Sequence, residues 1–531
     1  MSKQLRLYAV YLLMLLCIGL GYLAILPLFE GFDETANFSS MRQIADTGRI
    51  PVFGKDAIDR EVTDYQGPIP YGSLAPPFDN GMVYSRFFQD QDLVNSYPQS
   101  YRESHPHAAY LPGDKPNYQA QHPPFYYLLM ALPERLTDHL SFVTQILLLR
   151  LASYLLALGG VVFGLLAVRR SAAPTSALLG FFAYPIILPM FFPEFARMGN
   201  DSLCLLLIGM LAYFLSCWLQ DEGDRKFALA IGLTLGLGML TKAFFVPLAA
   251  ALLGFLLVRM VQRKTLSRWP MLLCMFVPAV LMGIAWFGHQ MRTGGSGVSG
   301  EQSVALAEHG GLLAGLRMHF SPFAAARGLA ATFVTWVWGG TWSLVHMSPI
   351  LLAPVLALVI WVAVAYLFEL RKHALSDAAW LPVWLFIFFG GGLLYHVMIG
   401  VALVGAGTTP GWYLHILMPW TAPALGLGLT HIWQRHKMRY LLTGSLAYAV
   451  LFQALALWSQ FALFTGCATK GIGKNYAFPD HSFCLVQTPL LIHRLGVLAW
   501  PSLAIAGFGC GLLCVLWLSL AMRGLKTQIG E

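Results

Sequence analysis

Two carboxylates stand side by side in Phe32-Asp33-Glu34, just beyond the chain's first hydrophobic segment, Tyr8 to Leu28. An ionisable side chain at membrane depth costs roughly 3 kcal/mol or more unless it is solvated or paired, so this pair is a functional-site candidate from the outset. Further charged and polar groups recur where other hydrophobic segments end: His122, Glu194 and Arg197 followed by Asp201, Lys242, His289 with Arg292, and Trp412-Tyr413-Leu414-His415. Singly, each has a plainer reading. Lys242 could snorkel, His289 and His415 could be ordinary loop residues, and Glu194 could form a local ion pair with Arg197. Their convergence on one membrane face is what argues for a site.

A carboxylate can deprotonate an acceptor hydroxyl as general base, while arginine and lysine neutralise charge building on a departing phosphate. The set therefore suits group transfer from a lipid phosphate. Asp33 is the expected base, with Glu34 beside it and Asp201 from the second cluster as further catalytic acids. Lys242, Arg197 and Arg292 are the expected phosphate-binding groups, and His122, Trp412, Tyr413 and His415 the expected substrate contacts. Asp33, Glu34 and Asp201 could also hold a divalent cation, Mg or Mn, although no spacing demands one.

The elements that must position these residues are membrane spans. The chain has 531 residues, 57% hydrophobic and 11% charged, with a mean hydropathy of +0.61, which is too apolar for an ordinary soluble protein. A span needs about 20 predominantly apolar residues, and about twelve such segments can be placed. The apolar runs are continuous, so the expectation is an all-α polytopic bundle and not a β-barrel of short alternating strands. The formal charge of +8 does not point to nucleic acid, because the basic residues are scattered among short loops. Lys3 and Arg6, Arg169 and Arg170, Arg225 and Lys226, Arg259 to Arg268, Arg371 and Lys372, Arg435 to Arg439, and Arg523 and Lys526 fall on one side. The positive-inside rule makes that side cytoplasmic, with both termini inside and the long polar loops outside. Tyr8 to Leu28 lacks a small-residue cleavage site and is read as an uncleaved anchor. Six of the eight cysteines lie within expected spans; Cys467 and Cys484 share one outer loop, where a disulfide is expected.

From residue 29 to 121 the chain is polar and rich in Pro, Gly and Tyr, too long for a simple connection in a compact bundle. Its start, Ala36 to Gly48, has helical periodicity and is expected as an amphipathic helix on the membrane surface. Pro68 to Pro116 is expected to fold over the bundle as a cap. His122-Pro123-Pro124 then returns the chain to the membrane, since proline is accepted in a first helical turn. A Gly-rich linker follows Arg292, and the aromatic stretch Trp336 to Trp342 is expected as an interfacial helix.

Phe32-Asp33-Glu34, the helix closing on Thr47-Gly48-Arg49-Ile50-Pro51, His122-Pro123-Pro124-Phe125-Tyr126-Tyr127, Asn200-Asp201 and Leu240-Thr241-Lys242 together resemble the GT-C superfamily of integral membrane glycosyltransferases. Within it the nearest likeness is to protein O-mannosyltransferases and lipid A aminoarabinose transferases, over about residues 20 to 260. The resemblance implies an inverting transfer of a sugar from a polyprenyl-phosphate donor on the outer face. It also implies Asp33 as base and phosphate-binding groups at Lys242 and Arg197. Acceptors in such a family include glycolipids, cell-envelope polysaccharides and proteins. Two motifs depart from it: His122-Pro123-Pro124 stands where aminoarabinose transferases have Lys-Pro-Pro, and Gly411-Trp412-Tyr413 where related enzymes have Gly-Arg-Tyr. No soluble C-terminal domain of the oligosaccharyltransferase sort is evident, which weighs against transfer of a large oligosaccharide.

The expected organisation is a catalytic module over 1–260, with the outer loop 29–121, and a C-terminal bundle over 261–531, with outer loops 289–348 and 465–493. A bacterial inner-membrane location fits this reading. The rivals are a secondary transporter and a lipid-linked polymer ligase or assembly factor. Transporters commonly show internal repeats and midplane sites, whereas this chain shows neither.

Overall fold

The computed structural model describes residues 3–71, 77–78, 81–103, 109–170, 174–293, 300–372, 377–469 and 482–529. The Gly-rich linker at 294–299 and the middle of the 465–493 loop lie outside the described residues, as do parts of the expected cap.

Long apolar runs give helices because a buried backbone in lipid must satisfy its own hydrogen bonds. In chain order the main helices are α1 (Lys3–Ile25), α2 (Glu34–Thr47), α3 (Phe125–Thr137), α4 (Phe142–Val168), α5 (Pro174–Ile187), α6 (Phe191–Phe195), α7 (Asn200–Trp218) and α8 (Arg225–Met239). They continue with α9 (Phe245–Gln262), α10 (Trp269–Thr293), α11 (Pro322–Val337), α12 (Pro349–Lys372), α13 (Leu381–Val404), α14 (Met418–Gln434), α15 (His436–Phe464) and α16 (Pro501–Ile529). Among the described residues nine helices are long and apolar enough to cross a membrane: α1, α4, α7, α9, α10, α12, α13, α15 and α16. The shorter α5, α8 and α14 pack among them; those nine helices of spanning length stand against the about twelve segments expected.

Among the described residues, strand is confined to the long loop between α1 and α3. There β1 (Ala57–Asp59) pairs antiparallel with β4 (Pro112–Pro116), and β2 (Pro68–Ile69) pairs parallel with β3 (Met82–Val83).

The helices that carry the charged cluster are held by close backbone approach. A Cβ at Gly209 of α7 would sit 2.2 Å from the Gly160 carbonyl oxygen of α4, and one at Gly180 of α5 would sit 1.8 Å from that of Ala422 in α14. Small residues at such crossings let helices pack tightly where lipid gives no hydrophobic drive. The first helix packs along the last, α16, and Arg150 in α4 donates to the carbonyls of Leu26 and Pro27 just past the end of α1, each at 2.7 Å.

Two expectations about the outer surface change. Helix α2 is buried from Glu34 to Ile44, so its polar face is covered and does not lie open to water. The cause is a set of buried partners. Arg42 pairs with Glu61, lies 3.4 Å from Glu134 of α3 and 3.9 Å from Asp59, and has its guanidinium 4.6 Å from the Phe38 ring. The stretch 336–342 is likewise no interfacial helix: α11 stops at Val337 and the following loop turns inward, with Trp338 fully buried and its indole N–H donating to the Val345 carbonyl at 2.8 Å.

Glu30 fixes that loop. Its buried carboxylate accepts from the hydroxyls of Tyr84 (2.7 Å), Thr341 (2.7 Å) and Ser343 (2.6 Å), tying the cap and the 338–345 loop to the end of α1. Cys467 and Cys484 are joined in a disulfide.

Candidate active site

Helix α1 ends before Pro27, and the chain turns through Asp33 to enter α2. Asp33 caps α2 from the left-handed region, with φ 63°, a conformation that aspartate tolerates better than most residues. Its carbonyl accepts from the Asn37 amide at 2.9 Å. The side chain is half-buried, and its Oδ1 accepts the Tyr118 hydroxyl at 3.1 Å. Among the described residues Asp33 makes no ion pair. Burial and the nearby Asp33 charge push the Tyr118 phenol well up, so it stays a donor.

Glu34, one residue on, is fully buried. Arg150 grips it through Nε to Oε1 at 2.7 Å and Nη2 to Oε2 at 2.6 Å, the paired geometry that makes arginine–carboxylate contacts strong. The amides of Gly31 and Met198 donate to the same carboxylate at 3.1 and 3.2 Å. Both oxygens of Glu34 are thus occupied within the protein.

The second half comes from α6, the turn after it, and the first turn of α7. Arg197 Nη2 donates to Glu194 at 2.5 Å and to Asp201 Oδ2 at 3.0 Å, and Nη1 donates to the Phe32 carbonyl at 3.0 Å. The last contact ties this cluster to the peptide just before Asp33. Lys242, two residues past the C-cap of α8, donates to both oxygens of Asp201 at 2.8 and 3.0 Å. Its ammonium also lies over the rings of Phe244 (4.5 Å) and Tyr413 (4.4 Å), a cation–π arrangement. Burial pushes the Glu194 carboxyl up to about 8 against the pull of Arg197. Burial works against the Arg197 charge, yet Glu194 and Asp201 more than offset it and hold the guanidinium above its ordinary value. Asn37 links the halves, donating to the Met198 carbonyl at 2.9 Å and accepting from Tyr127 at 3.1 Å.

The structure therefore brings together Asp33, Glu34, Arg197, Asp201, Lys242 and Tyr413. His122 lies near Lys242; desolvation first and that ammonium second hold its imidazole down to about 3, so it is neutral. Trp412 is buried and stacks on Phe32 at 4.1 Å, packing the turn instead of lining open space. His415 is fully buried with both ring nitrogens engaged, by the Tyr184 hydroxyl at 3.1 Å and the Trp336 carbonyl at 3.0 Å. That geometry is a packing role, and burial holds the ring down to about 3. Arg292 sits exposed in the last turn of α10. Gln290 of that turn reaches the Ala120 and Gln121 carbonyls at 3.3 and 3.5 Å.

The three acids named as possible cation ligands do not offer free oxygens together. Glu34 and Asp201 are each bound on both oxygens by arginine or lysine, and among the described residues no group of three His, Cys, Asp or Glu is placed to hold a metal. Three residues were missed by the sequence reading: Arg150, Tyr118 and His396. Arg150 and His396 are ionisable residues inside apolar runs, a signal that could have found them. His396 of α13 donates from Nδ1 to the Gln302 Oε1 at 3.1 Å and is close enough to His122 and Lys242 for their charges to interact.

Residues 121–286 match the family model of dolichyl-phosphate-mannose-protein mannosyltransferases. Among solved structures, ArnT from Cupriavidus metallidurans in the apo state is similar at 15% identity and TM-score 0.45, covering 97% of this chain and 77% of that one. ArnT bound to undecaprenyl phosphate is similar at 14% and 0.48, covering 98% and 78%. The archaeal oligosaccharyltransferase AglB from Archaeoglobus fulgidus, in complex with an inhibitory peptide and a dolichol-phosphate, is similar at 13% and 0.40, covering 92% and 58%. No curated protein sequence matches the chain. The family match covers less than a third of the chain and falls within the stretch whose motifs resemble protein O-mannosyltransferases.

Proposed function

We propose that this chain is a membrane glycosyltransferase of GT-C type that uses a lipid-linked donor, and that Asp33 is the general base of an inverting sugar transfer. The donor is a polyprenyl-phosphate-linked sugar, the acceptor a glycolipid, cell-envelope polysaccharide or protein hydroxyl, and the site faces away from the cytoplasm in a bacterial inner membrane. The Asp33 carboxylate takes the acceptor proton as the acceptor oxygen attacks the anomeric carbon from the face opposite the phosphate. The bond from that carbon to the phosphate oxygen breaks, and polyprenyl phosphate leaves with the electron pair.

One observation carries the reading: Asp33 is half-buried and, among the described residues, outside any ion pair, beside a closed network in which Lys242 contacts Asp201. A base must be reachable and free to accept a proton. Lys242 uses two of its three protons on Asp201, which leaves one for a phosphate oxygen. Arg197 steadies the Phe32 carbonyl and so the turn that presents Asp33. Glu34 and Asp201 act as positioning residues in this scheme, and no step runs through a cation. The orientation rests on the basic loops gathered at the opposite end of the bundle.

The test is single-turnover transfer from a polyprenyl-phosphate sugar by purified Asp33→Asn protein. The expected result is a rate lower by about 10²–10⁴-fold, with donor binding retained. A rate within a few-fold of the original would remove Asp33 as base.

A further inference from the structure

At the end of the bundle away from Asp33, a cavity of about 470 Å³ opens between the ends of α4, α7, α9, α12 and α13 and the body of α14. Its volume is within the range of pockets that hold small ligands, about 300–1,000 Å³. The inner wall is apolar, built from side chains such as Leu215, Trp420 and Leu427. Its mouth carries Arg170, Arg259 and Arg263. Arg259 is buried and pairs with Glu222 at 2.7 Å, and Arg268 shares that acid at 3.1 Å. Arg170 is exposed, with its guanidinium 5.2 Å from the Tyr213 ring, and Arg263 is exposed as well. The loops at this end, 169–170, 219–226 and 259–268, hold eight basic residues against three acids.

We propose that this cavity binds an anionic glycerophospholipid of the adjoining leaflet, one acyl chain inside and the headgroup phosphate against Arg170 and Arg263. An apolar wall behind a basic mouth matches an amphiphile with a negative head. A soluble anion would leave the wall unfilled, and a zwitterionic lipid would gain nothing net from the arginines. Basic pockets between spans recognise anionic headgroups in this way. The site lies outside the acid cluster and does not depend on the reaction assigned there.

Delipidated full-length protein, exposed in turn to palmitoyl-oleoyl phosphatidylglycerol and to the matching phosphatidylcholine, is read by native mass spectrometry for retained lipid. The wild type is expected to retain phosphatidylglycerol about tenfold better. Arg170→Gln with Arg263→Gln abolishes that preference, and Arg170→Lys with Arg263→Lys keeps it. Ala424→Trp, which fills the cavity, lowers retention of the lipid without touching the charges. Equal retention of the two lipids by the wild type overturns the proposal, and so does a preference that survives the double glutamine change. Stronger retention of polyprenyl phosphate than of phosphatidylglycerol at this mouth also overturns it, in favour of a second donor-lipid site.

Discussion

Asp33 and Glu34 are consecutive carboxylates at one turn, and the protein treats them oppositely. Glu34 is buried, gripped on both oxygens by Arg150 and further bound by two backbone amides. Asp33 is half-buried, carries one hydrogen bond from Tyr118 and makes no ion pair among the described residues. A saturated carboxylate holds structure, and an unsaturated one can do proton transfer. The same contrast separates Asp33 from Asp201, whose oxygens are taken by Lys242 and Arg197. Availability follows from partners, which residue type and spacing alone do not specify.

The largest effect that could break this contrast is on stability. Arg150→Met leaves Glu34 buried without its cation and also removes one donor each from the Leu26 and Pro27 carbonyls. Removing one partner of a buried ion pair costs about 3–5 kcal/mol. Thermal unfolding in detergent should drop accordingly, and Glu34→Gln added to Arg150→Met should recover part of the loss. Asp33→Asn should leave the unfolding temperature close to the original. Equal losses for both single changes would dissolve the distinction between the two acids.

A middle-sized effect concerns Lys242. Replacing it by methionine removes the charge that the proposal gives to donor phosphate, while Arg197 remains on Asp201. A hydrogen bond to a charged group contributes about 1.5–3 kcal/mol, so donor binding should weaken by about 10–100-fold. Equilibrium binding of a polyprenyl-phosphate sugar measures it. Unchanged affinity would mean that Lys242 serves only to hold Asp201.

Much of this arrangement could be read from the chain, for a physical reason. Asp33, Asp201 and Lys242 sit at the ends of apolar runs, where a charge is costly and therefore informative, and the bounds of α4 follow from its long, predominantly apolar stretch. The role of Glu34 was not legible, because its partner lies 116 residues away and within a span. Helix α2 was misjudged for a related cause: its polar face meets Asp59, Glu61 and Glu134, and only the tertiary fold brings those together. His415 shows the converse. Its position beside Tyr413 suggested substrate contact, whereas Tyr184 and the Trp336 carbonyl already occupy both nitrogens.

The smallest expected effect is the sharpest probe of Asp33 itself. Tyr118→Phe deletes the single hydrogen bond on that carboxylate and keeps the ring that packs beside it. One such bond contributes about 1 kcal/mol, equivalent to about fivefold in rate. If the phenol holds the carboxylate in line with the acceptor, the loss falls on kcat while donor KM stays put, because among the described residues no hydrogen bond ties Tyr118 to Lys242. A change confined to KM would move Tyr118 to the donor. A fall in unfolding temperature as large as that of Arg150→Met would make the bond structural, and Asp33 would then resemble its neighbour more than the contrast between them allows.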